Sequence, residues 1–277
     1  MSSNQEKIKE KYSHCKEGER AFNSRSESLE FHYTKKFIGE YIKPDSRVIE
    51  IGCGGGYYGM YFSDKCSEYV GVDITPENIT AFEEKIKTAG LKNIRAFVGD
   101  AINLDTVGDN SFDVVLCLGP MYHLPREERA LVFAECRRIA KDGAIIAFAY
   151  INGLGAYAGA CVLWQNTYPN TEANKYVFEY KTSDTTPDLF FFTSPEEMEH
   201  DAKQYNFEIM KNCGLDFWFA SCAIDAMSEE QFDCYWEIAD RMSESKFCTG
   251  LSNHALLICK RGNDLCQNFT LKNFMIK

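Results

Sequence analysis

A β-branched run entering a cluster of glycines constrains this chain more than any other stretch: Arg47-Val48-Ile49-Glu50-Ile51-Gly52-Cys53-Gly54-Gly55-Gly56-Tyr57-Tyr58-Gly59. Val48–Ile51 reads as a strand, the glycines as a tight turn, and the residues after them as a helix. Glycines let the backbone turn sharply and approach a ligand, and the N–H groups at the helix start face its polar end. Two glycine registers overlap here. Gly54-x-Gly56-x-x-Gly59, with Asp73 about 20 residues on, has the spacing of a dinucleotide-binding turn. Glu50-x-Gly52-x-Gly54-x-Gly56 places an acid inside the strand, where a dinucleotide site has no specific need of one. A ligand-free turn is the third reading.

The chain has 277 residues, enough for one sizeable core with room for a subdomain. Its net charge of −11 argues against a broad phosphate-binding face, and so against DNA or long RNA as substrate. No apolar run reaches the ~18 residues of a membrane span, and Met1–Lys11 does not read as a secretion signal. A cytoplasmic address is expected. The twelve cysteines contain no C-x-x-C pair and mostly sit in apolar contexts, so reduced, buried thiols are expected rather than disulfides or a metal site.

Helical spacing of Tyr33, Phe37, Ile38, Tyr41 and Ile42 predicts a helix that ends at Pro44-Asp45. Tyr69–Ile74 is a second strand. Thr75-Pro76 opens a helix, with Thr75 as its cap and Gly90 at its end. Asn93–Gly99 and Phe112–Leu118 are the third and fourth strands. Arg126–Lys141 is a helix, Asp142-Gly143 a turn, and Ala144–Tyr150 a fifth strand. Strands alternating with helices at this pace make a parallel, doubly wound sheet. The rhythm breaks over residues 151–192, which are rich in glycine and aromatic residues; a loop this long is improbable, so an inserted cap is expected. A helix opens at Ser194-Pro195. Phe207–Phe219 reads as a sixth strand with a bend at Gly214, and another helix starts near Ser228. His254–Lys260 is the final strand, with the last two paired antiparallel at one edge.

Taken together, the chain resembles the class I, seven-stranded S-adenosylmethionine-dependent methyltransferases over roughly 30–150 and 195–261. Glu50-Ile51-Gly52-Cys53-Gly54-Gly55-Gly56 is similar to the glycine motif under the methionine part of that cofactor. Gly71-Val72-Asp73-Ile74 resembles the acid that binds the ribose hydroxyls, and Gly99-Asp100-Ala101 the segment that meets the adenine. Ser111–Val115, leading through Leu118-Gly119-Pro120-Met121-Tyr122-His123-Leu124, resembles the fourth strand and active-site loop. Glu135–Gly143 resembles the helix and turn before the fifth strand, although Asp142-Gly143-Ala144 stands where the family often has Pro-Gly-Gly. The resemblance implies an α/β, Rossmann-like sheet, mostly parallel with its last strand antiparallel. It divides the chain into an N-terminal helical segment covering the site (1–46), a cofactor-binding core (47–150), an aromatic-rich cap after strand five (151–193), the rest of the core sheet (194–261) and a tail (262–277).

The implied cofactor is S-adenosylmethionine, held by Glu50, Gly52, Gly54, Gly56, Asp73, Ile74, Asp100, Ala101 and Leu118, with Tyr12 and Arg20 from the covering segment. The implied partner is a small-molecule acceptor, with no metal; oligomeric state is not legible. His123 is the candidate general base and Tyr122 the candidate orienting group; the competing reading has His123 hydrogen-bonded within its own loop. The cap's aromatic residues are either acceptor walls or the cap's own core. An NAD(P)-dependent oxidoreductase and a non-catalytic cofactor-binding scaffold are the alternatives, with methylation of a thiolate-bound metalloid a fainter one.

Overall fold

The computed structural model describes residues 3–13, 22–217 and 223–263. Among these, seven strands form one sheet in the order β3-β2-β1-β4-β5-β7-β6. They are β1 Arg47–Ile51, β2 Glu68–Asp73, β3 Ile94–Val98, β4 Phe112–Cys117, β5 Ala140–Ile151, β6 Phe207–Gly214 and β7 His254–Arg261. The first five are parallel, and β7 runs antiparallel to both β5 and β6. The strand order reverses between β1 and β4, and in open α/β sheets ligands bind beyond the carboxyl ends at such a point.

Why the strands read as unbroken apolar runs is plain from the packing. Val48, Tyr69, Val114, Ala147, Leu256 and Ile258 face one core. Covering it are α2 (Arg25–Gly39), α3 (Tyr57–Phe62), α4 (Pro76–Ala89) and α9 (Glu229–Ser243). Ile49, Ile51, Val70, Val72, Val115 and Cys117 face a second core under α5 (Arg126–Ile139) and α8 (Pro195–Gln204). A parallel sheet covered on both sides has no polar face to display.

Three local expectations need correction or refinement. The turn expected at Asp142-Gly143 lies inside β5, which begins directly after α5; the strand absorbs it as an irregularity opposite Phe112–Val114, with Gly143 at φ 73°. Thr75 is the N-cap residue of α4 but makes no side-chain capping bond: its hydroxyl is buried without a partner among the described residues, while its own N–H donates to the Asp73 carboxylate. β6 stops at Gly214 rather than running to Phe219. There the Phe217 ring lies over Gly214, and Asp216 turns its carboxylate to the His254 N–H; Phe219 itself lies outside the described residues.

Between β5 and α8 the chain forms α6 (Gly153–Leu163), α7 (Thr171–Lys175) and a π-helical turn, Tyr176–Tyr180. Tyr157, Ala173 and Val177 pack with Tyr168 and Phe192 into a small core of their own. Three of the nine aromatic residues here therefore serve local packing, while Trp164, Phe178 and Tyr180 are exposed. Near the N-terminus, α1 (Ser3–Ser13) lies across the carboxyl edge of the sheet. Among the described residues no helix is long and apolar enough to cross a membrane, and no group of histidine, cysteine and acidic residues has the arrangement of a metal site.

Candidate functional site

The glycine turn is built around one phenylalanine. A Cβ on Gly56 would lie 1.9 Å from the Phe82 ring, and Gly56 has φ 82°, so both space and backbone conformation demand glycine. Gly59 and Gly71 flank the same ring. Gly56 thus seats α4 against the turn and lines neither cavity described below, unlike its expected place under a cofactor. Gly54 differs: nothing stands within 4 Å of where its Cβ would be, and its N–H donates to Asp73 Oδ2 at 2.8 Å.

Two cavities meet at Gly52, Gly54 and Tyr122. The larger encloses about 760 Å³ and is bounded by Asp73, Ile74, Asp100, Ala101, Tyr122 and His123 below, with Gln5, Ile8 and Tyr12 of α1 above. The second, of about 470 Å³, is bounded by Glu50, Leu118, Glu30 and the rings of Phe31, Tyr57, Tyr58 and Tyr122. Every site residue named from the sequence borders one of these cavities except Gly56 and Arg20; Arg20 lies outside the described residues. Gln5, Asn78, Glu30 and the Tyr57-Tyr58 pair were not foreseen. Tyr57-Tyr58 sit directly after the glycines, the one signal available for them; nothing local marks the others.

The acids have distinct surroundings. Glu50 is fully buried and accepts the Tyr69 hydroxyl at 2.7 Å; burial pushes its carboxyl up to about 8, against the help of that hydrogen bond. Asp73 Oδ1 takes the Thr75 N–H at 2.8 Å and the Asn78 amide at 3.1 Å. Asp100 accepts Gln5 Nε2 at 2.5 Å and the Ile102 N–H at 3.2 Å.

His123 is buried, with both ring nitrogens engaged. Nδ1 lies 2.8 Å from the Leu189 carbonyl, which only accepts, so Nδ1 carries the proton. Nε2 then accepts the Tyr12 hydroxyl at 2.8 Å. Burial lowers the imidazole to about 4, so it is neutral at pH 7. The Tyr122 hydroxyl donates to Leu118 O at 3.1 Å, and its carbonyl accepts the Phe191 N–H at 2.8 Å. Of the segment between β5 and α8, it is Leu189–Phe191 that reaches this loop, with the Phe190 ring 5.0 Å from that of His123.

Residues 48–143 match the family described as a methyltransferase domain. With the sheet order above, this part of the chain is similar to methyltransferase domains built on a Rossmann-like sheet. Over 115 residues the chain is 31% identical to a protein named ubiquinone biosynthesis O-methyltransferase from Hahella chejuensis, covering 39% of this chain and 44% of that one. The chain spans about half the length of the curated relatives it matches. Among solved structures, YcgJ from Bacillus subtilis superposes with a TM-score of 0.55 at 17% identity, over 84% of this chain and 99% of that one. The [4+2]-cyclase SpnF superposes equally well, at 0.55 and 15% identity, over 83% and 80%. These structures share the fold, and a fold does not fix a reaction.

Proposed function

We propose that the protein is a methyltransferase that transfers the methyl group of S-adenosylmethionine to a small-molecule acceptor. The observation that carries this reading is the set of three acidic side chains, Asp100, Asp73 and Glu50, along two cavities that share an open glycine turn. Asp100 with Ala101 suits the adenine, Asp73 with Ile74 the ribose, and Glu50 the amino group of the methionine part. Gly52, Gly54 and Leu118 form the wall between, and Tyr12 covers it. When bound, the cofactor supplies an electrophilic methyl on a positively charged sulfur. The protein's contribution is to hold an acceptor against that position, which is worth roughly 7–11 kcal/mol when the geometry is near attack.

His123 acts as a positioning residue in this reading. Its acceptor nitrogen holds Tyr12 and its N–H holds Leu189, tying α1 to the segment after β5. Tyr122, fixed through its hydroxyl, walls both cavities. If His123 instead served as base, His123→Gln would lower kcat by about 10²–10⁴-fold; the proposed role predicts a raised KM for the cofactor with kcat within a few-fold. A cytoplasmic address fits the free thiols, six of them buried, found among the described residues.

Calorimetric titration with S-adenosylmethionine and S-adenosylhomocysteine, with NADH as control, tests the assignment. Micromolar binding of the sulfur nucleotides, lost in Asp73→Ala, is expected; binding of NADH alone would overturn it in favour of an oxidoreductase. The likeness to SpnF supports a second reading, a different reaction on the same scaffold. Tight S-adenosylhomocysteine binding without a methylated product from any acceptor in a broad screen would favour it.

A further inference from the structure

Asp73 has more to hold than a ligand. Three N–H groups of its own chain donate to it: Gly54 to Oδ2 at 2.8 Å, and Thr75 and the Asn78 side chain to Oδ1 at 2.8 and 3.1 Å. An ionised carboxylate offers about four acceptor positions, so Oδ1 is filled and Oδ2 keeps one. A ribose presents two neighbouring hydroxyls. So engaged, Asp73 has room for one of them.

Asn78 stands beside it, in the first turn of α4, on the wall of the same cavity. Carboxylates accept and do not donate, so the Asn78 –NH₂ is the group turned toward Asp73, and its amide oxygen occupies the other branch. That oxygen makes no hydrogen bond within the described residues. The pair therefore presents two acceptors from adjacent side chains: one on Asp73 Oδ2, one on Asn78 Oδ1. Both are braced, since the bond between them fixes the Asn78 rotamer and the backbone donors fix the Asp73 rotamer.

We propose that the cofactor's vicinal diol is read by two residues, Asp73 through Oδ2 and Asn78 through its amide oxygen, making Asn78 a determinant of cofactor specificity. This rests on the cofactor assignment above. It assigns Asp73 a dual role, tying the glycine turn to α4 with three positions and recognising one hydroxyl with the fourth.

Titration of the full chain with S-adenosylhomocysteine and its 2′-deoxy and 3′-deoxy analogues tests this. Losing one good hydrogen bond to a buried acceptor weakens binding by about tenfold, so each analogue should bind the wild type about tenfold more weakly than the parent. In Asn78→Ala, and in the similarly shaped Asn78→Leu, the parent should weaken about tenfold, and one of the two analogues should then bind as well as the parent. A residue that only supported the fold would weaken all three ligands alike. Retention of the wild-type discrimination against both analogues would overturn the proposal, whatever the absolute affinity. So would a wild type that binds either analogue as tightly as the parent, a result needing no variant to fold. Absence of S-adenosylhomocysteine binding in the wild type would remove the cofactor assignment itself, a separate and recognisable failure.

Discussion

The floor and the roof of the site are made differently. The floor comes from neighbouring strands and the turn between them: Gly54 to Asp73 and Tyr69 to Glu50 are each 19 residues apart in sequence. The roof comes from segments far apart: Gln5 to Asp100 spans 95 residues, Tyr12 to His123 spans 111, and His123 to Leu189 spans 66. Floor contacts are set by strand register and by rings that only glycine admits. Roof contacts include side-chain hydrogen bonds from α1 and from the segment after β5. The floor is part of what makes the chain fold, whereas the roof is the element expected to open when the site admits a ligand.

Breaking the floor should therefore cost stability first. Gly56→Ala places a methyl group into the Phe82 ring at φ 82°, and a destabilisation of about 2–4 kcal/mol is expected from urea unfolding. A loss below about 0.5 kcal/mol would show that the turn relaxes more easily than its packing implies. Asp73→Ala strips the acceptor from three N–H groups, and about 2 kcal/mol of stability should go even without ligand.

Next in size are opposed pH dependences. Glu50 is held near 8 against an ordinary 4.5, so the folded state keeps a proton that the unfolded state releases. Its contribution is fully present below about 4.5 and is lost as pH rises to about 8, at up to about 1.4 kcal/mol per pH unit. His123 runs the other way. Lowered to about 4 from 6.5, it contributes stability above pH 6.5 that is lost as pH falls toward 4. Urea titrations of the ligand-free protein at pH 5, 6.5 and 8 should show a flatter alkaline limb in Glu50→Gln and a flatter acid limb in His123→Gln. Parallel profiles for all three proteins would refute both assignments.

The smallest effect belongs to the roof. Tyr12→Phe removes one hydrogen bond worth about 0.5–1.5 kcal/mol. It should leave the urea midpoint almost unchanged while speeding amide hydrogen exchange in α1. A large drop in global stability would mean that the cover belongs to the core.

The same division explains what was legible in the sequence. The glycine turn, Asp73, Asp100 and the strand pattern announce themselves through local spacing, and the sheet follows from the alternation of strands with helices. The Asp142-Gly143 turn was misread because a glycine at positive φ serves a bulge as well as a turn. Thr75 takes the N-cap position that the sequence predicts, but its hydroxyl makes no capping bond, which depends on a rotamer that spacing does not show. Gln5 carries no local mark at all: a glutamine in a polar helix gains meaning only when the fold sets it 2.5 Å from Asp100. Glu30 and Asn78 belong to the same class. The role of His123 hinged on which groups face its two nitrogens, and these lie 111 and 66 residues away.

The position of β7 bears on how the protein is made. The last of the described strands is not at a sheet edge but between β5 and β6, pairing along the whole of Ile145–Ile151 on one side and Phe207–Gly214 on the other. Until residue 261 has been synthesised, β5 offers the unpaired N–H and C=O groups of its edge to any passing strand. Nascent chains halted before residue 254 should therefore depend on chaperones, and this sheet closes only when β7 slots in between β5 and β6.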